Sequence, residues 1–151
     1  MIKLTDIYKS VSLLLKNKYS YKIYGHEVVE GFKRPSFFVD IISKTISNES
    51  PFYKKYAYAI MITYFQDTAI EADKLTIDNL NKIDEIQELF GSNLKIGDNS
   101  SINLYDFSYD YTGINTNILQ VNIETEFYEK IPVSDNHVIA EQLNLNNNTK
   151  G

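Results

Sequence analysis

The chain has 151 residues, 43% of them hydrophobic and 23% charged, which fits one globular domain with a sizeable core and excludes wholesale disorder. Its formal net charge of -5 makes nucleic acid a poor main partner for a single copy. With no cysteine there is no disulfide, thiolate nucleophile or cysteine-ligated zinc; no apolar run approaches the length of a membrane span, and the N-terminus lacks the basic-then-apolar order of a signal peptide, so the expectation is synthesis in a reducing cytoplasm and no membrane partner.

In chain order, the first predicted element is a helix from Leu4 to Tyr19. Ile7, Val11, Leu14 and Leu15 form one apolar stripe, Thr5 is placed to cap it, and Asp6 complements the positive end of its dipole. A short strand, Tyr21 to Tyr24, ends at Gly25, and His26 to Glu30 reads as a loop or edge segment. Glu30-Gly31-Phe32-Lys33-Arg34-Pro35 then makes a charged corner, in which Gly31 permits a positive φ and Pro35 holds Arg34 extended. The run after it, from about Ser36 to Ile46, is β-branched and aromatic, with too few polar positions at its start for one wet face. A polar turn ending at Pro51 leads to a strand over 54–66 with Tyr56, Tyr58, Ile60, Ile62 and Tyr64 on one face. Its other face, with Ala57 and Ala59, is shallow enough for a helix to lie against. The two strands are expected to pair antiparallel and to form the centre of the sheet.

The next prediction is a helix over Thr76 to Phe90, capped by Thr76 and closed by Gly91, with Ile77, Leu80, Ile83, Ile86, Leu89 and Phe90 on its apolar side. Short strands follow at Asn93 to Ile96 and Asn103 to Thr112, the second with Tyr105, Phe107, Tyr109 and Tyr111 on one face. Past a turn at Gly113 comes the cleanest alternation in the chain, Leu119, Val121, Ile123, Thr125 and Phe127, expected to close a hairpin with the preceding strand. The fold expectation is therefore a single α+β domain: an antiparallel or mixed twisted sheet of five to six strands with two main helices packed on it, over residues 1–131. Residues 132–151 read as an extension, polar at its end, either frayed or docked as a strand on another subunit through Val138, Leu143 and Leu145.

Reactive chemistry is sparse. His26 and His137 are the only histidines, no phosphate-binding glycine loop exists, and no zinc spacing is present, so no catalytic, cofactor or metal residue is assigned. Asp106, Asp110, Glu124 and Glu126 could share a sheet face as a cation site, or simply form its polar side. The 12 tyrosines suit half-exposed strands and interfaces, though AT-rich codon usage would also supply them. The aromatic strand 103–111 allows a small ligand- or RNA-binding module, against which Asp106 and Asp110 would repel phosphate.

The corner Glu30-Gly31-Phe32-x-x-Pro35 running into Phe37-Phe38-Val39, behind an amphipathic first helix, resembles the start of the core sheet in phage tail terminator proteins of Gram-positive phages and phage-tail-like particles. The resemblance implies a structural, non-enzymatic virion or bacteriocin protein with no cofactor. It implies a ring, normally hexameric, capping the head-proximal end of the tail tube after synthesis in the host bacterium. The implied partners are sister copies, the tail tube protein, the sheath protein of a contractile tail, and a head connector or collar protein, with DNA met only in passage through the bore. The corner Glu30, Gly31, Phe32, Lys33, Arg34 and Pro35 and the extension's Val138, Leu143 and Leu145 are the expected assembly contacts.

Overall fold

In the computed structural model, residues 1–26 and 30–132 are described. The elements are α1 (Leu4–Lys18), β1 (Lys22–Tyr24), β2 (Ser36–Asn48), β3 (Tyr53–Phe65), a short 3-10 turn (Ala72–Lys74), α2 (Leu75–Phe90), β4 (Asn93–Ile96), β5 (Ser100–Thr112) and β6 (Ile118–Lys130). The strands form one sheet in the order β1-β2-β3-β6-β5-β4. β1 runs parallel to β2 and every other pair is antiparallel, so the sheet is mixed. This is the α+β class expected.

Sheet and core follow from two alternating sequences. Tyr58, Ile60, Ile62 and Tyr64 of β3 stand opposite Thr125, Ile123, Val121 and Leu119 of β6, and all eight are buried. Above them lie Ile7, Val11 and Leu15 of α1 and Ile83, Ile86 and Phe90 of α2. α1 touches both β2 and β4, which are far apart in the sheet order, so the sheet curls around this helix. Buried Thr125 is satisfied by donating to the Asn103 carbonyl at 2.6 Å.

Several expectations need correction. The centre of the sheet is β3 with β6, not β2 with β3; β2 is second from one edge and is exposed over most of its C-terminal half. The helices cover the tyrosine and isoleucine face of β3, not the alanine face. Ala57 and Ala59 are buried on the other side, beside Glu126 and Glu124 of β6, whose carboxylates pair with Lys55 and Lys44. Small residues here lie beneath long charged neighbours.

α1 begins one residue before the expected cap. Lys3 is the N-cap, and its N–H donates to Asp6 Oδ2 at 2.9 Å, so the acid at the third helical position satisfies the helix end and Thr5 does not. α2 is entered from the 3-10 turn with Lys74 at its cap, which places Thr76 inside the helix. Its inward side is Asn79, Lys82, Ile83, Ile86 and Phe90, while Ile77 and Leu80 are exposed. Gly91 closes the helix at φ +60, as its position predicted. No helix among the described residues is long and apolar enough to cross a membrane.

These burials set a stability contrast. Ile123→Ala should cost about 2–5 kcal/mol in urea unfolding, because it opens a cavity between the sheet and the helices. Ile77→Ala should stay within about 0.5 kcal/mol. Equal losses at both positions would contradict the orientation of α2.

Candidate functional site

The charged corner between β1 and β2 is pinned by aromatic contacts. Gly31 has φ +71, a conformation costly for a side-chain-bearing residue. Phe32 packs edge-on against Phe38 at 5.1 Å and lies 4.7 Å from Phe65, with Tyr24 at 6.2 Å. The guanidinium of Arg34 sits over Phe32 and Phe65, 5.2 and 5.1 Å from the ring centroids. The Lys33 N–H donates to the Tyr24 hydroxyl at 3.0 Å, and the Arg34–Pro35 peptide is cis. Glu30, Gly31, Lys33 and Arg34 are exposed on this framework, whereas Phe32 and Pro35 are half-buried anchors. Val138, Leu143 and Leu145 lie outside the described residues.

On the helix-free face, the four carboxylates do not converge. Glu124 takes an ion pair from Lys44 and a hydrogen bond from the Tyr105 hydroxyl at 3.0 Å. Lys44, and after it Tyr105, hold the Glu124 carboxyl below its ordinary range. Glu126 pairs with Lys55 at 3.2 Å. Among the described residues no group of three or more His, Asp or Glu side chains could hold a metal ion. His26 lies at the surface, 3.0 Å from Asp40.

The expected row of four aromatics on β5 is broken. The register shifts between Leu104 and Asp106, and Tyr105 reaches Glu124 on the polar side. Phe107, Tyr109 and Tyr111 stay opposite Ile123, Val121 and Leu119 on the core side, where Phe107 and Tyr111 pack against the core. A bulge carries the side chain to the other face, so no continuous stacking platform exists.

Sequence reasoning missed one cluster. Lys82 of α2 is only 4% exposed, with its ammonium 4.4 Å from the Tyr19 ring, 4.9 Å from Tyr21 and 5.0 Å from Tyr64. It donates to the Tyr21 hydroxyl at 3.2 Å and lies 3.8 Å from Glu85. The Tyr64 hydroxyl donates to Asp78 Oδ2 at 2.8 Å, and Gln66 donates to the same oxygen and to the Leu75 carbonyl. Burial, then the neighbouring carboxylates, push the phenols of Tyr19 and Tyr64 well above 10.0. The cluster ties α2 to the connection between α1 and β1, which holds Tyr19 and Tyr21, and to Tyr64 of β3. The available sequence signal was Asp78, Lys82 and Glu85 at helical spacing beside Ile83, which puts charges next to the inward stripe.

A mixed sheet curled around one helix, with paired charges and aromatics on its surface, defines an α+β domain. The sequence matches the model of a family described as phage tail terminator protein over residues 6–137, and the chain belongs to that family. It is therefore a phage tail component whose partners are other parts of the tail. No curated protein matches the chain. Among solved structures 19 chains match. One of them, known by a sequence identifier alone, is 11% identical, with 87% of this chain and 98% of that one covered and a TM-score of 0.45. Family membership rests on the family model.

The buried tyrosines fix the sign of an alkaline response. Their phenols lose protons in the unfolded chain near 10.0 but keep them in the fold, so stability is complete below that pH and falls as pH rises above it. The thermal midpoint should drop above about pH 10, and Tyr64→Phe should flatten that drop. A wild-type midpoint unchanged through this range would contradict the burial of these hydroxyls.

Proposed function

We propose that the chain ends tail assembly by closing into a ring, of six copies, on the head-proximal end of the tail tube. Membership of the tail terminator family over residues 6–137 is the observation that carries this reading. The ring blocks further tube subunits and offers its opposite face to a head connector or collar protein. In a contractile particle, phage or bacteriocin, it also holds the last ring of sheath. The work is steric: a heterologous contact whose rotation returns on itself closes instead of growing.

The corner is suited to one of these contacts. Lys33 and Arg34 are presented on a framework fixed by Phe32, Phe38 and Phe65, so little conformational freedom is lost when a partner binds. A planar guanidinium stacked on two rings is a common interface anchor. The net charge of -5 per copy disfavours adhesion of DNA passing through the bore.

Two measurements test this. Particles made without the chain should carry tubes of uncontrolled length in electron micrographs, and tubes of normal length would refute a terminating role. Arg34→Ala should weaken assembly by about 2 kcal/mol, roughly 30-fold in the association constant, with only the small fall in thermal midpoint that losing its two ring contacts brings. An unaltered association constant would remove the corner from the interface.

A further inference from the structure

We propose that the outer face of α1 on one copy packs against the outer face of α2 on the next, so that each chain joins two neighbours through two different surfaces; this rests on the self-association proposed above. Lys9, Leu13 and Lys16 lie at i, i+4 and i+7 and form one exposed stripe on α1, with Leu13 60% exposed. Ile77, Leu80, Asp84 and Glu88 form a second stripe on α2, with Ile77 58% and Leu80 42% exposed. The two stripes are both part apolar and have opposite sign. Every exposed charged residue of α1 is a lysine, at 9, 16 and 18, and every exposed one of α2 is an acid, Asp84 or Glu88.

The fold of a single copy does not account for these stripes. Glu88 lies in the last turn of α2, where the negative end of the helix dipole disfavours an acid and no basic residue stands. Among the described residues Lys9, Lys16, Asp84 and Glu88 form no ion pair. Lys9 and Leu13 also line, with Ile96 and Gly97 at the end of β4, a hollow of about 470 Å³ that can seat an apolar side chain from outside. The spacing along the helices agrees. Lys9 stands four residues before Leu13 and Asp84 four after Leu80, about 6 Å along either axis, so antiparallel helices with Leu13 against Leu80 bring Lys9 beside Asp84. The copy's own helices cannot make this contact. Both are seated on one sheet, through Ile7, Val11 and Leu15 and through Ile83, Ile86 and Phe90, and both outer stripes stay exposed there. A second copy supplies the missing half each way, and contact between unlike faces is the heterologous kind that closes a ring.

The test uses two double variants of the full chain, Lys9→Glu with Lys16→Glu and Asp84→Lys with Glu88→Lys, each followed by sedimentation alone and with tail tubes. Each variant by itself should lose association by about 100-fold, because like charges then face each other, while thermal unfolding shows it folded. Should either fail to fold, the single changes Lys16→Glu and Asp84→Lys carry the same comparison. Mixed in equal amounts, the two variants should recover association, since the α1 of each is then complementary to the α2 of the other. The reversals move the formal charge of -5 by four in either direction, so both chains stay net negative and bulk attraction does not supply the recovery. If both variants assemble like the wild type, the helix contact is overturned and the ring stands. A loss confined to one variant, or a mixture that stays apart, means that the two faces meet something other than each other and overturns the pairing. A wild-type chain that stays monomeric even with tubes present overturns both the pairing and the ring.

Discussion

The pairing of β3 with β6 is the constraint from which the other features follow. Both strands alternate, and their apolar sets meet on one face, with Ile60 beside Ile123 and Ile62 beside Val121. A shift by one residue would turn all of those side chains into water, so the register is firmly specified. Burial on one side only also determines the architecture. The helices must collect on that side, and the sheet must curve to enclose α1. The opposite face is left to polar residues, and there the carboxylates of β6 are matched by Lys44 and Lys55. What reads as a carboxylate cluster in sequence is thus the wet side of a half-covered sheet.

The orientation of α2 adds a polar term to this packing. An unpaired ammonium removed from water costs several kcal/mol. Lys82 avoids that through three ring faces, a tyrosine hydroxyl and Glu85, each contributing about 1–2 kcal/mol at most. These terms roughly cancel, so the cluster is better understood as fixing which side of α2 faces inward. Turning the helix to bury Ile77 would expose Ile83 and Ile86 and leave the buried phenol of Tyr64 without Asp78. A gain of one apolar side chain, about 1.5–3 kcal/mol, does not offset that loss.

Local features were readable from the sequence because they are set within a few residues. The alternation from Leu119 to Phe127, the turn at Pro51, the strand at Asn93 to Ile96 and the closing Gly91 all emerge as expected. Features set by distant partners were not readable. Nothing near Tyr105 announces a bulge, since it depends on how β5 meets Glu124 of β6. The inward side of α2 depends on tyrosines from the α1–β1 connection and from β3, and apolar spacing alone selected Ile77 and Leu80 instead of Asn79 and Lys82. The corner at Glu30 to Pro35 was legible as a turn, from Gly31 and Pro35, yet its aromatic pinning needed Phe65, which arrives from β3.

The sheet's open sides bear on how such a domain could stop a polymer without becoming one. A long exposed edge invites indefinite addition of strands. Here β2, which extends beyond β1, shifts register between Ser43 and Thr45, and β5, which extends beyond β4, shifts between Leu104 and Asp106, and each of these interruptions is fixed to Glu124 through Lys44 or Tyr105. A bulge bends and twists its strand, which discourages a flat neighbour of arbitrary sequence. On the proposed function, contact from the sheet side with a sister copy or a tube end then falls to the fixed charged corner. On the proposed reading that selectivity is the property a terminator requires, since it has to recognise one end of a filament and present nothing on which the next subunit can build.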